Sequence, residues 1–306
     1  MNGIINVLKP SGMTSHDVVA YIRKITGIKK VGHSGTLDPS AVGVLPVFIG
    51  KATKAVDYAL EGFKSYRVEM KLGITTDTGD KDGNILSSDN LSNYIKEENF
   101  DTELNKIIQS FKGKTYQIPP MYSAVKINGQ KLYNLARQGK EIIREARKID
   151  ISRIEIINFS YKEGIVLYDV DCSKGTYMRV LCEDIGKKIG CGAFMSYLIR
   201  TKSSSFCIQD SYTIEEIKHM QENNNLSQAL SSVEKLFGSL PEYVITNEEQ
   251  IKKFMNGCEI SINQINFKNS YPQIIRIYID NEFIGIADCY KNEEKNYCLK
   301  VRKFFA

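Results

Sequence analysis

The spacing of apolar residues changes along the chain, and each change predicts an element. Residues 4 to 8 form a short apolar run of strand length. Ser15 then offers an N-cap for a helix that places Val18, Val19, Ile22 and Ile25 on one face, and Gly27 ends it. A polar, glycine-punctuated loop follows, Val31-Gly32-His33-Ser34-Gly35-Thr36-Leu37-Asp38-Pro39-Ser40, before a second apolar run from residue 41 to 49. Residues 66 to 72 alternate, with Tyr66, Val68, Met70 and Leu72 on one face and Arg67, Glu69 and Lys71 on the other. That is a half-buried strand with Tyr66 facing inward. Asp82-Gly83 marks a hairpin turn. Residues 91 to 112 read as a helix, 150 to 160 and 164 to 171 as strands, and 176 to about 189 as a helix with apolar residues at 178, 181, 182, 185 and 189. A partly polar helical stretch from 213 to 237 leads to Gly238-Ser239-Leu240-Pro241, after which short strand patterns such as 274 to 278 and 283 to 287 dominate. The class is mixed α/β, with a small β-rich unit after a boundary at 239/240.

Composition narrows the picture. The chain has 306 residues, more than one ordinary domain, which suits the split into 1–239 and 240–306. With 42% apolar and 25% charged residues it is a folded globular chain. No basic leader precedes a long apolar segment and no stretch reaches membrane-spanning length, so we expect a cytoplasmic protein with no membrane contact. Seven cysteines without C-x-x-C spacing and only three histidines predict reduced thiols and no metal site. Residues 240–306 hold nine of the 41 Lys and Arg and nine of the 36 Asp and Glu, so the whole +5 surplus lies upstream. That surplus suits a polyanionic partner without demanding one.

Three kinds of residue could carry chemistry. Asp38 stands in the glycine-bearing loop, before a proline that favours extended backbone and beside an apolar run. A turn aspartate bonding its own backbone is the plainer alternative. Arg179 falls at the third position of a helix capped by Thr176, where the helix dipole disfavours a cation, so either an anion faces it or it reaches away into solvent. Tyr66 and Tyr177 are candidates for stacking on an extruded base, with plain core packing as the alternative for any of 17 tyrosines. Other motifs fail. Gly50-Lys51-Ala52-Thr53 lacks the residues of a phosphate loop, residues 78 to 89 lack the first and last ligands of a calcium loop, and His219 has no cysteine partner.

Four segments together resemble the TruB family of pseudouridine synthases. They are 31 to 39 with Gly43-Val44-Leu45-Pro46; Lys64-Ser65-Tyr66 with Leu72-Gly73 and Thr76-Asp77-Thr78; residues 119 to 126 with Gly129, Leu132-Tyr133 and Ala136-Arg137; and Cys172-Ser173-Lys174-Gly175-Thr176-Tyr177-Met178-Arg179 with Asp184-Ile185-Gly186. More weakly, the tail is similar to the family's C-terminal PUA domain. The segment Ser203-Ser204-Ser205 departs from relatives that often carry glycine and proline there.

The resemblance implies a pseudouridine synthase fold, a central mixed, largely antiparallel sheet flanked by helices, with a PUA-like RNA-binding domain at 240–306. It implies isomerisation of the uridine at position 55, in the tRNA T-loop, without metal or cofactor. Asp38 would be the essential carboxylate, attacking covalently or assisting a glycal-like intermediate. Arg179 would keep it ionised, and Tyr66 would stack on the flipped uracil and take the C5 proton. Tyr177 and Leu198 would complete the pocket, His33 would fill the space the base vacates, and Lys64, Lys126 and Arg137 are candidates for RNA contact. The partner is the tRNA T-arm, with no obligatory protein partner and a monomeric chain. Three rivals remain at this stage: a tRNA-folding helper without catalysis, a guide-RNA sister enzyme, and a glycosidase pairing Asp38 with Asp77 or Asp80.

Overall fold

The apolar runs and alternating segments assemble into one mixed sheet of ten strands. A computed structural model describes residues 1–123, 125–127, 129–136, 138–262, 273–293 and 296–305, with backbone alone at 126, 127 and 131. Across the sheet the strands run Leu230–Ser231, Gly3–Lys9, Val42–Ile49, Ala193–Ser203, Lys64–Leu72, Ile165–Cys172, Arg147–Ser160 and Gly113–Gln117. Val31–His33 adds to Val42–Ile49, and Phe206–Cys207 to Ala193–Ser203. Among the described pairs of this sheet only Val42–Ile49 with Ala193–Ser203 is parallel. Lys64–Leu72 alternates as its sequence predicts. Val68, Met70 and Leu72 are buried in the core formed with the helices Phe100–Gln109 and Met178–Ile189, and Tyr66 packs half-buried against it. The helices Ser15–Thr26 and Ile214–Glu222 cover the strands at the other end of the sheet.

Local chemistry moves several boundaries. The first helix is capped by Thr14 and not Ser15: the Thr14 hydroxyl accepts from the Asp17 amide while Asp17 returns a bond to the Thr14 amide. Ser15 thereby becomes the first helical residue and its hydroxyl is free to hold the backbone of Leu37. Gly27 ends the helix at φ 67°, as its position suggests. The segment read as one helix from 91 to 112 is two 3-10 turns, Leu91–Asn93 and Glu97–Asn99, before the helix Phe100–Gln109. Asn90 caps the first turn and Lys96 is extended, which breaks the helical run. The stretch from 213 to 237 is α-helical only over Ile214–Glu222; Asn224 then turns left-handed at φ 57°, and 3-10 turns follow at Leu226–Ala229 and Val233–Phe237. The Asp82-Gly83 signal lies in the loop of a hairpin, Ile74–Thr76 with Ile85–Ser88.

A second sheet of five strands begins at Glu242 and runs Glu242–Val244, Gln273–Ile279, Glu282–Lys291, Tyr297–Phe304, Ile260–Ile262. It has its own core around Ile275, Ile277, Ala287 and Leu299. Aromatic packing joins it to the main sheet: Phe237 lies 5.4 Å from Phe305 and 6.1 Å from Phe283, over Ile4 and Phe48. Among the described residues no helix is long and apolar enough to cross a membrane. All seven cysteines are unpaired.

Candidate active site

The loop bearing Asp38 is held from outside the sheet. Lys9, at the end of the first strand and fully buried, donates to the carbonyls of Pro10 (2.8 Å), Met13 (2.6 Å) and Pro39 (3.1 Å). Its burial lowers the Lys9 pKa to about 8. The Ser15 hydroxyl lies 2.9 Å from the Leu37 amide, the Gly12 amide donates to Pro39, and the Ala41 amide to Asp38 itself. These contacts fix the backbone on both sides of Asp38, and its side chain is left to face the cleft.

That cleft has a volume of about 410 Å³ and brings together Asp38, Tyr66, Tyr177, Arg179 and Leu198, five residues spread over 160 positions of sequence. Arg179 is sealed, its side chain 6% exposed, and lies 3.1 Å from Asp38 Oδ2 and 3.6 Å from Asp80 Oδ2. It also donates to the carbonyls of Tyr122 (2.7 Å) and Thr78 (3.3 Å). The Asp38 side chain stays 37% open to the cleft, yet enough protein surrounds it that burial raises its pKa; Arg179 opposes that rise and Asp80 adds to it. A carboxylate that is reachable, poorly solvated and held by a buried cation is chemically poised.

The helix start carrying Arg179 differs from the sequence expectation. Tyr177 is the cap residue, so Arg179 is the second helical residue and not the third, and no side chain of the helix caps it. Gln117 does so from the neighbouring strand: its side-chain oxygen accepts from the Tyr177 amide at 2.7 Å and its amide donates to the Tyr177 carbonyl at 3.1 Å. The misfit of a cation at a helix start is answered by two carboxylates.

The opposite wall is sheet. Tyr66 and Leu198 come from adjacent antiparallel strands, Leu198 opposite Val68 and Tyr66 opposite Arg200. Leu198 is buried and Tyr66 half-buried, and burial raises the Tyr66 phenol pKa, with the Arg200 charge pulling it down. Lys64 also lines the cleft, but only 6% of it is exposed and its ammonium donates to Leu60 (2.5 Å) and Gly62 (2.6 Å), so it braces the wall and offers no open surface to a phosphate. Burial brings its pKa to about 8. His33 sits in Val31–His33 opposite Val47, off the cleft lining, and burial lowers its pKa. Lys126 lies in the short strand Lys126–Ile127, and Arg137 lies outside the described residues.

Four residues here carry no motif of their own: Lys9, Asp80, Gln117 and Arg200. A charged residue at an inward position of an alternating run is the signal that finds Arg200, two places after Leu198. Asp80 is committed to Arg179, the Thr78 hydroxyl and the Asp82 amide, and Asp77 to Asn84. Neither is a free second acid for paired-carboxylate hydrolysis.

Comparison with known proteins agrees with this geometry. The family described as TruB family pseudouridylate synthase (N terminal domain) matches residues 23–178, and the tRNA pseudouridylate synthase B C-terminal domain matches 179–237. The tRNA pseudouridine synthase B of Alkaliphilus oremlandii is 44% identical over 298 residues, 97% of this chain and 95% of that protein. The one from Clostridium kluyveri is 42% identical over 306 residues, 100% of both. Among solved structures, a chain of a Cbf5-Nop10-Gar1 complex aligns with TM-score 0.74 at 27% identity, over 99% of this chain and 85% of that one. An H/ACA RNP bound to a substrate RNA containing 2′-deoxyuridine gives 0.72 at 25%, over 99% and 85%. Fold and matches define the class, a pseudouridine synthase. Within that class the chain belongs to the TruB family.

Proposed function

We propose that this chain is a tRNA pseudouridine synthase that isomerises uridine 55 in the T-loop. The observation that carries the reading is the Asp38–Arg179 pair, a reachable carboxylate on a buried guanidinium, facing an aromatic and aliphatic wall across a cleft of nucleotide size. Isomerisation breaks the bond from uracil N1 to ribose C1′, turns the base and joins C5 to C1′. A uracil extruded from the loop enters between Tyr66 and Leu198 on one side and Tyr177 on the other. Asp38, kept ionised by Arg179, acts at the ribose, and Tyr66 stacks on the base and relays the C5 proton, its oxygen taking that proton as its own hydroxyl proton passes to solvent. No residue of this scheme calls on a metal or organic cofactor.

Residues 1–239 form the catalytic part and 240–306 the PUA-like RNA-binding part, a cytoplasmic monomer whose partner is the tRNA T-arm. The excess of basic over acidic residues upstream of 240 holds phosphates and makes binding salt-sensitive. His33, Lys126 and Arg137 belong to this RNA-facing reading. The test is to incubate the purified chain with unmodified tRNA transcript and map pseudouridine by carbodiimide treatment and primer extension, with Asp38→Asn beside it. A single stop at the T-loop uridine, absent with the variant, is expected. Tight binding without modification would replace this reading by an RNA-folding role, and a stop elsewhere would keep the chemistry and change the substrate position.

A further inference from the structure

Arg200 stands where three strands meet. It is opposite Tyr66 in the antiparallel ladder and opposite Gly43 in the parallel one, and a bulge follows it between Arg200 and Lys202. The side chain is 1% exposed although it forms part of the cleft wall. Its Nε donates to the Val44 carbonyl at 2.7 Å and Nη2 to the Gly35 carbonyl at 3.0 Å. As the cross-strand partner of Tyr66 it projects to the same face and lines the same cleft, and where burial raises the Tyr66 phenol pKa its charge draws it down. Its acceptors are thus two backbone carbonyls, and no carboxylate forms an ion pair with it among the described residues.

A buried cation without an anionic partner is costly, and an apolar residue would fill this place at less expense to the fold. The arrangement accounts for it. The planar fork reaches the loop before Asp38 through Gly35 and the central strand through Val44 at one time while lying beside Tyr66 on the adjacent strand, which a flexible ammonium could not do. Gly43 is part of the same device: at φ 118° a side-chain carbon there would lie 2.3 Å from the Arg200 carbonyl oxygen, so only glycine lets the strands close at this point.

We propose that Arg200 is a positioning residue for the reaction, holding the Asp38 loop from within the sheet and setting a cation beside the Tyr66 phenol on the adjacent strand. The proposal rests on the reading that Tyr66 faces the reacting uracil. Arg200 does not touch the substrate in this account; it acts through Tyr66.

The experiment compares Arg200→Lys and Arg200→Gln, each alone and combined with Tyr66→Phe. Single-turnover pseudouridine formation, transcript affinity and thermal unfolding are measured for each. Arg200→Lys is expected to bind transcript as the native chain does and to form product about 100-fold more slowly, the scale of a small misplacement of a reacting group. In the Tyr66→Phe background the same change should cost less than about 3-fold, because the hydroxyl through which it acts is gone. Should Tyr66→Phe be too slow to time, the conservative variant decides: Arg200→Lys faster than Arg200→Gln supports the proposal, and equal rates overturn it. A native rate for Arg200→Lys, equal losses in both Tyr66 backgrounds, or loss of affinity with an unchanged rate each overturn it. Failure of both variants to fold makes Arg200 a structural residue and also overturns it. A native chain that forms no pseudouridine sinks the functional reading and this proposal together, whereas a native chain that does, with Arg200→Lys equally fast, sinks the proposal alone.

Discussion

The two walls of the cleft solve the problem of a buried arginine in opposite ways. On the wall made of a loop and a helix start, Arg179 faces two carboxylates, and one of them, Asp38, stays open to the cleft. On the wall made of sheet, Arg200 is sealed, donates to two backbone carbonyls and, among the described residues, has no carboxylate partner. Charge placed to act on a substrate is compensated by charge and kept reachable, because water or a ligand must exchange with it. Charge placed to hold geometry is locked by directional hydrogen bonds to the backbone, which do not shift as a reaction proceeds.

The largest effect that sharpens this contrast is Asp38→Asn, which should lower turnover by at least about 10⁴-fold while filter-binding affinity for tRNA is kept. Loss of binding along with turnover would mean that the carboxylate organises the RNA site and is not purely catalytic. Arg179→Met follows. Leaving Asp38 and Asp80 together without their cation should cost about 10²–10³-fold in rate and about 3 kcal/mol in stability, read by timed assays and by denaturant unfolding. An unchanged stability would show that Asp80 compensates nothing. On the sheet wall, Gly43→Ala forces a carbon against the Arg200 carbonyl and should destabilise the fold by about 2 kcal/mol or more in the same unfolding experiment.

Smaller effects test the electrostatics of the first wall. The folded-state pKa of Asp38 lies above its ordinary value, so the ionised carboxylate opposes folding. That cost is complete above the folded pKa and vanishes below the unfolded one. Asp38→Asn should therefore melt higher than the native chain at pH 7, with the gap closing as the pH falls toward about 4. A gap that widens on acidification would reverse the assignment of the shift. Smallest of all is Ser204→Gly. Ser204 turns at φ 55°, a left-handed conformation that glycine adopts without strain, and relieving it should raise stability by about 1 kcal/mol or less in melts.

Much of the site was legible in the chain itself. The loop with Asp38, the inward face of Tyr66 and the helix bearing Arg179 followed from turn residues, period-two alternation and an apolar stripe, all local signals. The boundaries that moved had both near and distant causes. Thr14 outcompeted Ser15 as a cap because Asp17 completes a reciprocal pair with it, and Tyr177 took the cap position because Gln117, 60 residues away, satisfies its backbone. Lys64, a candidate for RNA contact by resemblance, has its ammonium held by the Leu60 and Gly62 carbonyls, partners that the alternation of its strand does not reveal.

The sequence alone therefore determined several elements, among them the first helix, the alternating strand with Tyr66 and the helix bearing Arg179, and the residues able to act as base, cation and stacking surface, since these depend on neighbours a few positions apart. Only the tertiary structure decided which charges would be buried, which would pair, and which would hold the others in place. Asp80 reaches Arg179 across 99 positions and Arg200 reaches Gly35 across 165. Hydrogen bonds and desolvation act through space, and their partners are chosen by strand pairing that no local pattern records.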